Sequence, residues 1–165
     1  GKLPLMPEFI KRLHKIGFAW IFPKMGGKYR NIEVMVSKHT PPKFYLIPQL
    51  MVEFSEDLKT RIKYLPKIDE ENFLDELISL LAWSHNKFLW IHPFQDYNGR
   101  IGRLLNNIIL LKLNLPPINM NIDTKSSRAK YIEALQLADN HNYSKLEDIM
   151  KKAIVKAIAS LKNKK

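Results

Sequence analysis

The chain has 165 residues, 45% of them apolar and none of them cysteine, and 27 Lys and Arg against 16 Asp and Glu leave a formal charge of +11. This is enough chain to bury a core as one domain, so disorder is excluded by composition, and the missing cysteine excludes disulfides, thiolate metal sites and a Cys nucleophile. The positive field favours phosphate-rich partners, namely a nucleotide, a nucleic acid or an acidic protein face.

No apolar stretch approaches the roughly 18 residues of a membrane span, and no signal peptide opens the chain. It begins at Gly1 without an initiator Met. The expectation is a single domain over 1–165, excised from a longer protein and cytoplasmic. The six lysines between Lys151 and Lys165 read as a solvated helical face, so nucleic acid is an unlikely partner for this domain.

In chain order, Pro7 to Ile16 sets Phe9, Ile10, Leu13 and Ile16 at helical spacing. After Gly26-Gly27, the alternation of Ile32, Val34 and Val36 predicts a strand. Pro41-Pro42 turns the chain, and Phe44 to Ile47 is expected to return as a second strand, completing a short β-hairpin. Pro48 opens a helix with Leu50, Met51, Phe54, Leu58 and Ile62, which Pro66 interrupts. Asp69 is a candidate N-cap for a long apolar helix to Ile91, which Pro93 stops at His92. Another helix resumes near Arg100 and runs to about Leu113. Thr124 or Ser126 caps the next, and Ser144-Lys145-Leu146-Glu147 predicts a capping box before the last. The fold class is all-α, a bundle of about six to eight helices with one small hairpin.

Between the two most apolar helices lies His92-Pro93-Phe94-Gln95-Asp96-Tyr97-Asn98-Gly99-Arg100-Ile101-Gly102-Arg103. Polar groups beside a core are costly unless satisfied or useful. A helix start near Arg100 offers free N–H groups and partial positive charge to an anion. Gly99 admits close approach, Asn98 can donate an amide N–H, and Arg100 and Arg103 share a face with forks suited to phosphate. Asp96 supplies a hard oxygen for Mg²⁺, and His92 is a base near neutrality. These parts point to phosphoryl or nucleotidyl transfer.

The run resembles the signature of the Fic family, His-x-Phe-x-Asp/Glu-Gly-Asn-Gly-Arg-x-x-Arg, at every defining position but Tyr97, where the family usually has Gly. Gly27-Lys28-Tyr29-Arg30, Pro41-Pro42, His85 and Arg128-x-x-Tyr131-x-x-Ala134-Leu135 are also similar, so the resemblance covers roughly residues 8 to 155. It implies a Fic-type bundle that transfers AMP from Mg-ATP to a Ser, Thr or Tyr hydroxyl of a target protein. His92 would be the general base and Asp96 the Mg²⁺ ligand. Asn98, Gly99, Arg100, Gly102 and Arg103 would hold the phosphates, and Phe94 would anchor the loop. The flap, including Ile32, Val34, Val36 and Tyr45, would dock the target by strand addition.

Tyr97 would either be strained at positive φ or sit in allowed space with its ring over one side of the site. Many relatives carry an inhibitory Ser/Thr-x-x-x-Glu-Gly/Asn motif; here Lys67 stands in the Ser/Thr position before Glu71-Asn72. An inhibitory segment or antitoxin-like partner is therefore expected outside this chain, if it exists. Competing readings are transfer of UMP, phosphocholine or phosphate, removal of AMP, and a non-catalytic basic binding module. His14 and His85 read as structural, and His39 and His141 as surface residues.

Overall fold

The computed structural model describes residues 5–162, which form six α-helices and one 3₁₀ turn. They are α1 (Pro7–Phe18), α2 (Ile47–Lys63), α3 (Phe73–Ile91), α4 (Asn98–Lys112), α5 (Lys125–Ala138) and α6 (Ser144–Lys162). No helix is long and apolar enough to cross a membrane among the described residues.

The chain divides into two compact units, each built from two segments. One runs up to Tyr64 and includes Lys87–Leu104. Its core joins Ile10 of α1 to Ile47, Met51, Phe54 and Leu58 of α2, and to Phe88, Ile91, Phe94 and Ile101. These positions repeat at three and four along α2, so one stripe of that helix is buried. Phe88 lies between Phe54 and Phe94, with ring centroids 6.0 and 6.4 Å away.

The other unit comprises Leu65–Asn86 and the chain from Leu105. Its apolar core includes Leu77, Leu81, Leu105, Ile109, Ala134, Leu146 and Met150. Several buried polar groups there pair with one another, as burial favours. Ser84 donates to Asn106 Oδ1 at 3.0 Å, Asn106 donates to the Leu81 carbonyl at 3.2 Å, and the His85 and Tyr131 side chains meet at 2.6 Å. His85 is structural, as expected. Thr124 caps α5 in a reciprocal pair with Ser127.

Three local expectations are corrected. Phe44–Leu46 is a 3₁₀ turn leading straight into α2, not a strand. Residues 31–43 form a loop whose one β contact among the described residues is a bridge between Val36 and His39. The reason is Arg30: its guanidinium donates to the carbonyls of Ile32 at 2.9 Å and Pro42 at 2.5 Å, standing between the two arms where ladder bonds would form. Pro41 and Pro42 also lack the N–H a ladder needs. At α6, Ser144 is the first helical residue and not the N-cap: its Oγ donates to Asn142 Oδ1 at 2.7 Å, and the Glu147 N–H goes to the Tyr143 carbonyl at 2.9 Å.

Candidate active site

α3 stops where Pro93 makes helical geometry unfavourable at the preceding residue, and His92 turns left-handed at φ 50°. Its N–H still reaches the Phe88 carbonyl at 3.1 Å, closing the last turn. The C-terminal carbonyls of a helix need partners, and Arg30 supplies them. It is 4% exposed, donates from Nε to the His92 carbonyl at 2.8 Å, and has the Glu33 carboxylate 3.8 Å from Nη1. A cation at a helix C-terminus is also favoured by the dipole. The Arg30 N–H adds a bond to the Pro93 carbonyl at 2.9 Å. His39, expected at the surface, is partly buried, and its Nε2 lies 2.9 Å from the Trp90 carbonyl.

His92 is partly buried, and its Nδ1 lies 3.3 Å from the Leu89 carbonyl. The carbonyl only accepts, so this contact assigns the proton to Nδ1 and leaves the lone pair on Nε2. Burial is the main cause that lowers its pKa to about 4; the Leu89 carbonyl and Asp96 oppose it, and the Arg30 and His39 charges reinforce it. The imidazole is thus neutral at physiological pH.

Phe94 is fully buried, as expected of the anchor. His14 stacks on it with centroids 3.9 Å apart and an 11° interplanar angle. His14 Nδ1 accepts from the Gly27 N–H at 2.9 Å, so Nε2 carries the proton and faces the Asp96 carbonyl at 3.2 Å. One neutral tautomer therefore ties α1, the Gly27 turn and the loop together. Burial lowers the His14 pKa, against the Asp96 carbonyl and carboxylate. His14 is structural, as expected, but composition and spacing gave no sign that it holds this loop.

Asn98 is placed differently from the expectation of an amide aimed at phosphate. It is 2% exposed, accepts from the Phe94 N–H at 3.0 Å and donates to the Phe94 carbonyl at 2.8 Å. Its side chain closes the loop on itself. Asp96 is exposed, and its Oδ1 takes the Tyr97 N–H at 2.6 Å, which leaves Oδ2 for a ligand.

Tyr97 precedes α4 at φ 63°. This region is uncommon for a bulky residue and costs about 1–3 kcal/mol, which accounts for Gly as the usual residue there. The ring lies 3.9 Å from Phe18 at 13°, a stacked pair, and the Arg100 guanidinium sits 4.9 Å from its centroid. Of the two readings of Tyr97, the positive-φ one is observed, with the ring lying against Phe18 and Arg100.

α4 begins at Asn98, so the N–H groups of Asn98 and Gly99 have no acceptor inside the helix. Helical side chains lean toward the N-terminus, and both arginines do so. Arg100 reaches back over Tyr97, and a Cβ added to Gly99 would stand 3.4 Å from Arg103 Nη1. Arg103 Nη1 therefore lies close over Gly99. Gly102 is buried one turn along. His92, Asp96, the first N–H groups of α4 and both guanidinium groups therefore share one short loop and helix end.

The flap candidates are less gathered. Ile32 and Tyr45 are exposed at 46% and 66%, while Val34 and Val36 are partly buried. A cavity of about 260 Å³ opens between this segment and the loop, lined by Lys24, Met25, Lys28, Tyr29, Arg30, Asn31 and Gln95. None of these is acidic. Among the described residues no cluster of three or more His, Asp or Glu could hold a metal. A single free carboxylate suits a Mg²⁺ that arrives on nucleotide phosphates, since such an ion typically takes one or two carboxylates.

Comparison with known proteins identifies the family. A relative in Culex quinquefasciatus, named Protein adenylyltransferase Fic, is 34% identical over 127 residues, covering 77% of this chain and 23% of the relative. One of the same name in Drosophila willistoni is 33% identical over 138 residues, covering 84% and 25%. The chain thus spans about a quarter of the curated relatives it matches. A Fic domain containing signaling protein from Bacteroides thetaiotaomicron superposes with a TM-score of 0.76 at 19% identity, over 94% of this chain and 61% of that one. Fic-1 of C. elegans (aa134 - 508) gives 0.69 at 23% identity, over 96% and 44%. These structures share the fold. The Fic/DOC family description matches residues 4–110, which takes in α1 to most of α4 and the whole loop, and the chain belongs to the Fic/DOC family.

Proposed function

We propose that this chain transfers AMP from Mg-ATP to a Ser, Thr or Tyr hydroxyl of a target protein, releasing pyrophosphate. The observation that carries the reading is the loop itself: a neutral imidazole with a free Nε2 stands in the same turn as two guanidinium groups leaning toward a helix N-terminus. The name shared by the curated relatives supports AMP as the transferred group.

In this mechanism the triphosphate lies against the N–H groups of Asn98 and Gly99. Arg100 and Arg103 take phosphate oxygens through charge-assisted bonds, which orients the α-phosphorus. Asp96, with the phosphates, would hold Mg²⁺, which would supply charge neutralisation on the transferring group. The target hydroxyl attacks the α-phosphorus, its oxygen–phosphorus bond forms, and the bond to the pyrophosphate oxygen breaks. The hydroxyl proton passes to His92 Nε2, while the Leu89 carbonyl holds the Nδ1 proton and fixes the ring. Asn98 and His14 keep the loop in register for this step. The segment 31–43, with Ile32, Val34, Val36 and Tyr45 on or beside it, is where the target backbone would dock. A cytoplasmic setting, and an inhibitory partner reaching Arg103, belong to the same proposal.

The test is intact mass after incubation with ATP, with and without Mg²⁺. The expected product is the chain or a target heavier by one AMP. Replacing His92 by Ala should slow transfer by about 10²–10⁴-fold; near-normal transfer by that variant would exclude His92 as base. An adduct of UMP, phosphocholine or phosphate would instead assign another group to the same site. Salt-sensitive DNA binding without ATP binding would favour a basic binding module.

A further inference from the structure

We infer that Tyr97 is a positioning residue for Arg100: its ring is a platform that holds the guanidinium in front of the α4 N-terminus. This rests on the proposal that a nucleotide triphosphate binds there. The residue pays for a left-handed backbone at φ 63°, which glycine would adopt freely. What glycine could not supply is the ring. Phe18 covers one face at 3.9 Å and 13°, which leaves the ring little freedom to swing. Phe22 flanks it at 6.0 Å. The other face carries Arg100 at 4.9 Å, within cation–π range.

The result is a column of Phe18, Tyr97 and Arg100. An exposed arginine on a flexible stem loses rotamer freedom when it grips a ligand. At a helix N-terminus it is also repelled by the dipole until an anion arrives. The ring quadrupole offsets both effects, because it attracts the cation and fixes its direction before binding.

Calorimetry with Mg-ATP on the chain and the variants Y97F, Y97G, R100Q and Y97G/R100Q tests this. Y97F keeps the ring and should bind like the wild type. Y97G relieves the backbone but should weaken binding by about fivefold, as loss of one cation–π contact implies. In transfer assays the loss should appear in KM for ATP rather than in kcat. In the R100Q background Y97G should cost nothing further. If the Y97G penalty persists unchanged without Arg100, or if Y97G binds as well as or better than the wild type, the inference is overturned while the proposed function stands. Failure of the wild type to bind Mg-ATP sinks both. NMR gives an independent check: the Arg100 Hδ protons should be shifted upfield by the ring in the wild type and Y97F, and not in Y97G. No such shift in the wild type overturns the geometry.

Discussion

At the residue scale, burial makes His92 a poor base before substrate arrives, with a pKa lowered to about 4. General bases work best near the operating pH. A polyphosphate placed at the α4 N-terminus brings negative charge beside the ring, and opposite charge favours the imidazolium. The acid limb of kcat/KM, which reports the free enzyme, should therefore lie well below that of kcat, which reports the nucleotide complex. Both profiles are measured across acid pH and corrected for the nucleotide's own titration. Limbs in the reverse order would contradict this account. Asn98 shows where residue-level reading stops. Its amide suits phosphate by type, yet both ends bind the Phe94 backbone. Which of two polar partners a side chain takes depends on where the backbone has already been folded.

At the element scale, the C-terminus of α3 and the segment 31–43 are held by one side chain. Arg30 donates to the carbonyls of Ile32, Pro42 and His92 and is 4% exposed. Replacing it by Met leaves those carbonyls without a charged donor. The expected loss is about 3 kcal/mol, read as a fall in Tm on the order of 10 °C. Arg30→Lys should recover only part of this, because an ammonium cannot span the same carbonyls. A Tm for Arg30→Met within about 2 °C of the wild type would show that the staple carries little stability. The helices were legible from apolar spacing, and Pro93 marked the end of α3 to the residue. The hairpin was not. Alternation at Ile32, Val34 and Val36 describes an extended chain, but a ladder also needs free carbonyls, and Arg30 occupies two of them.

At the scale of the whole molecule, two partly or fully buried histidines couple folding to pH. His14 and His92 both have pKa values lowered by burial in the folded chain, against about 6.5 when unfolded. The unfolded state therefore binds protons that the folded state refuses. The stability these groups contribute is complete above about pH 6.5 and is lost as pH falls below it, for His92 down toward 4, by up to about 1.4 kcal/mol per pH unit per titrating histidine. Urea unfolding of the wild type and of a His14→Gln, His92→Gln double variant should diverge in slope over that window. Parallel slopes would mean that neither histidine stays neutral in the folded state. Length, charge and the loop motif by themselves determined that this is a helical Fic/DOC chain, which residues make its signature, and that Tyr97 departs from it. Those properties are written in residue type and local spacing. Only the tertiary structure decided that His14 joins the Gly27 turn to Asp96, which lies 82 positions from His14 in sequence, that Arg30 caps α3, and that Tyr97 lies between Phe18 and Arg100. Such pairings join residues far apart in the chain, and they arise when burial of the apolar stripes brings polar groups to positions where they must find partners.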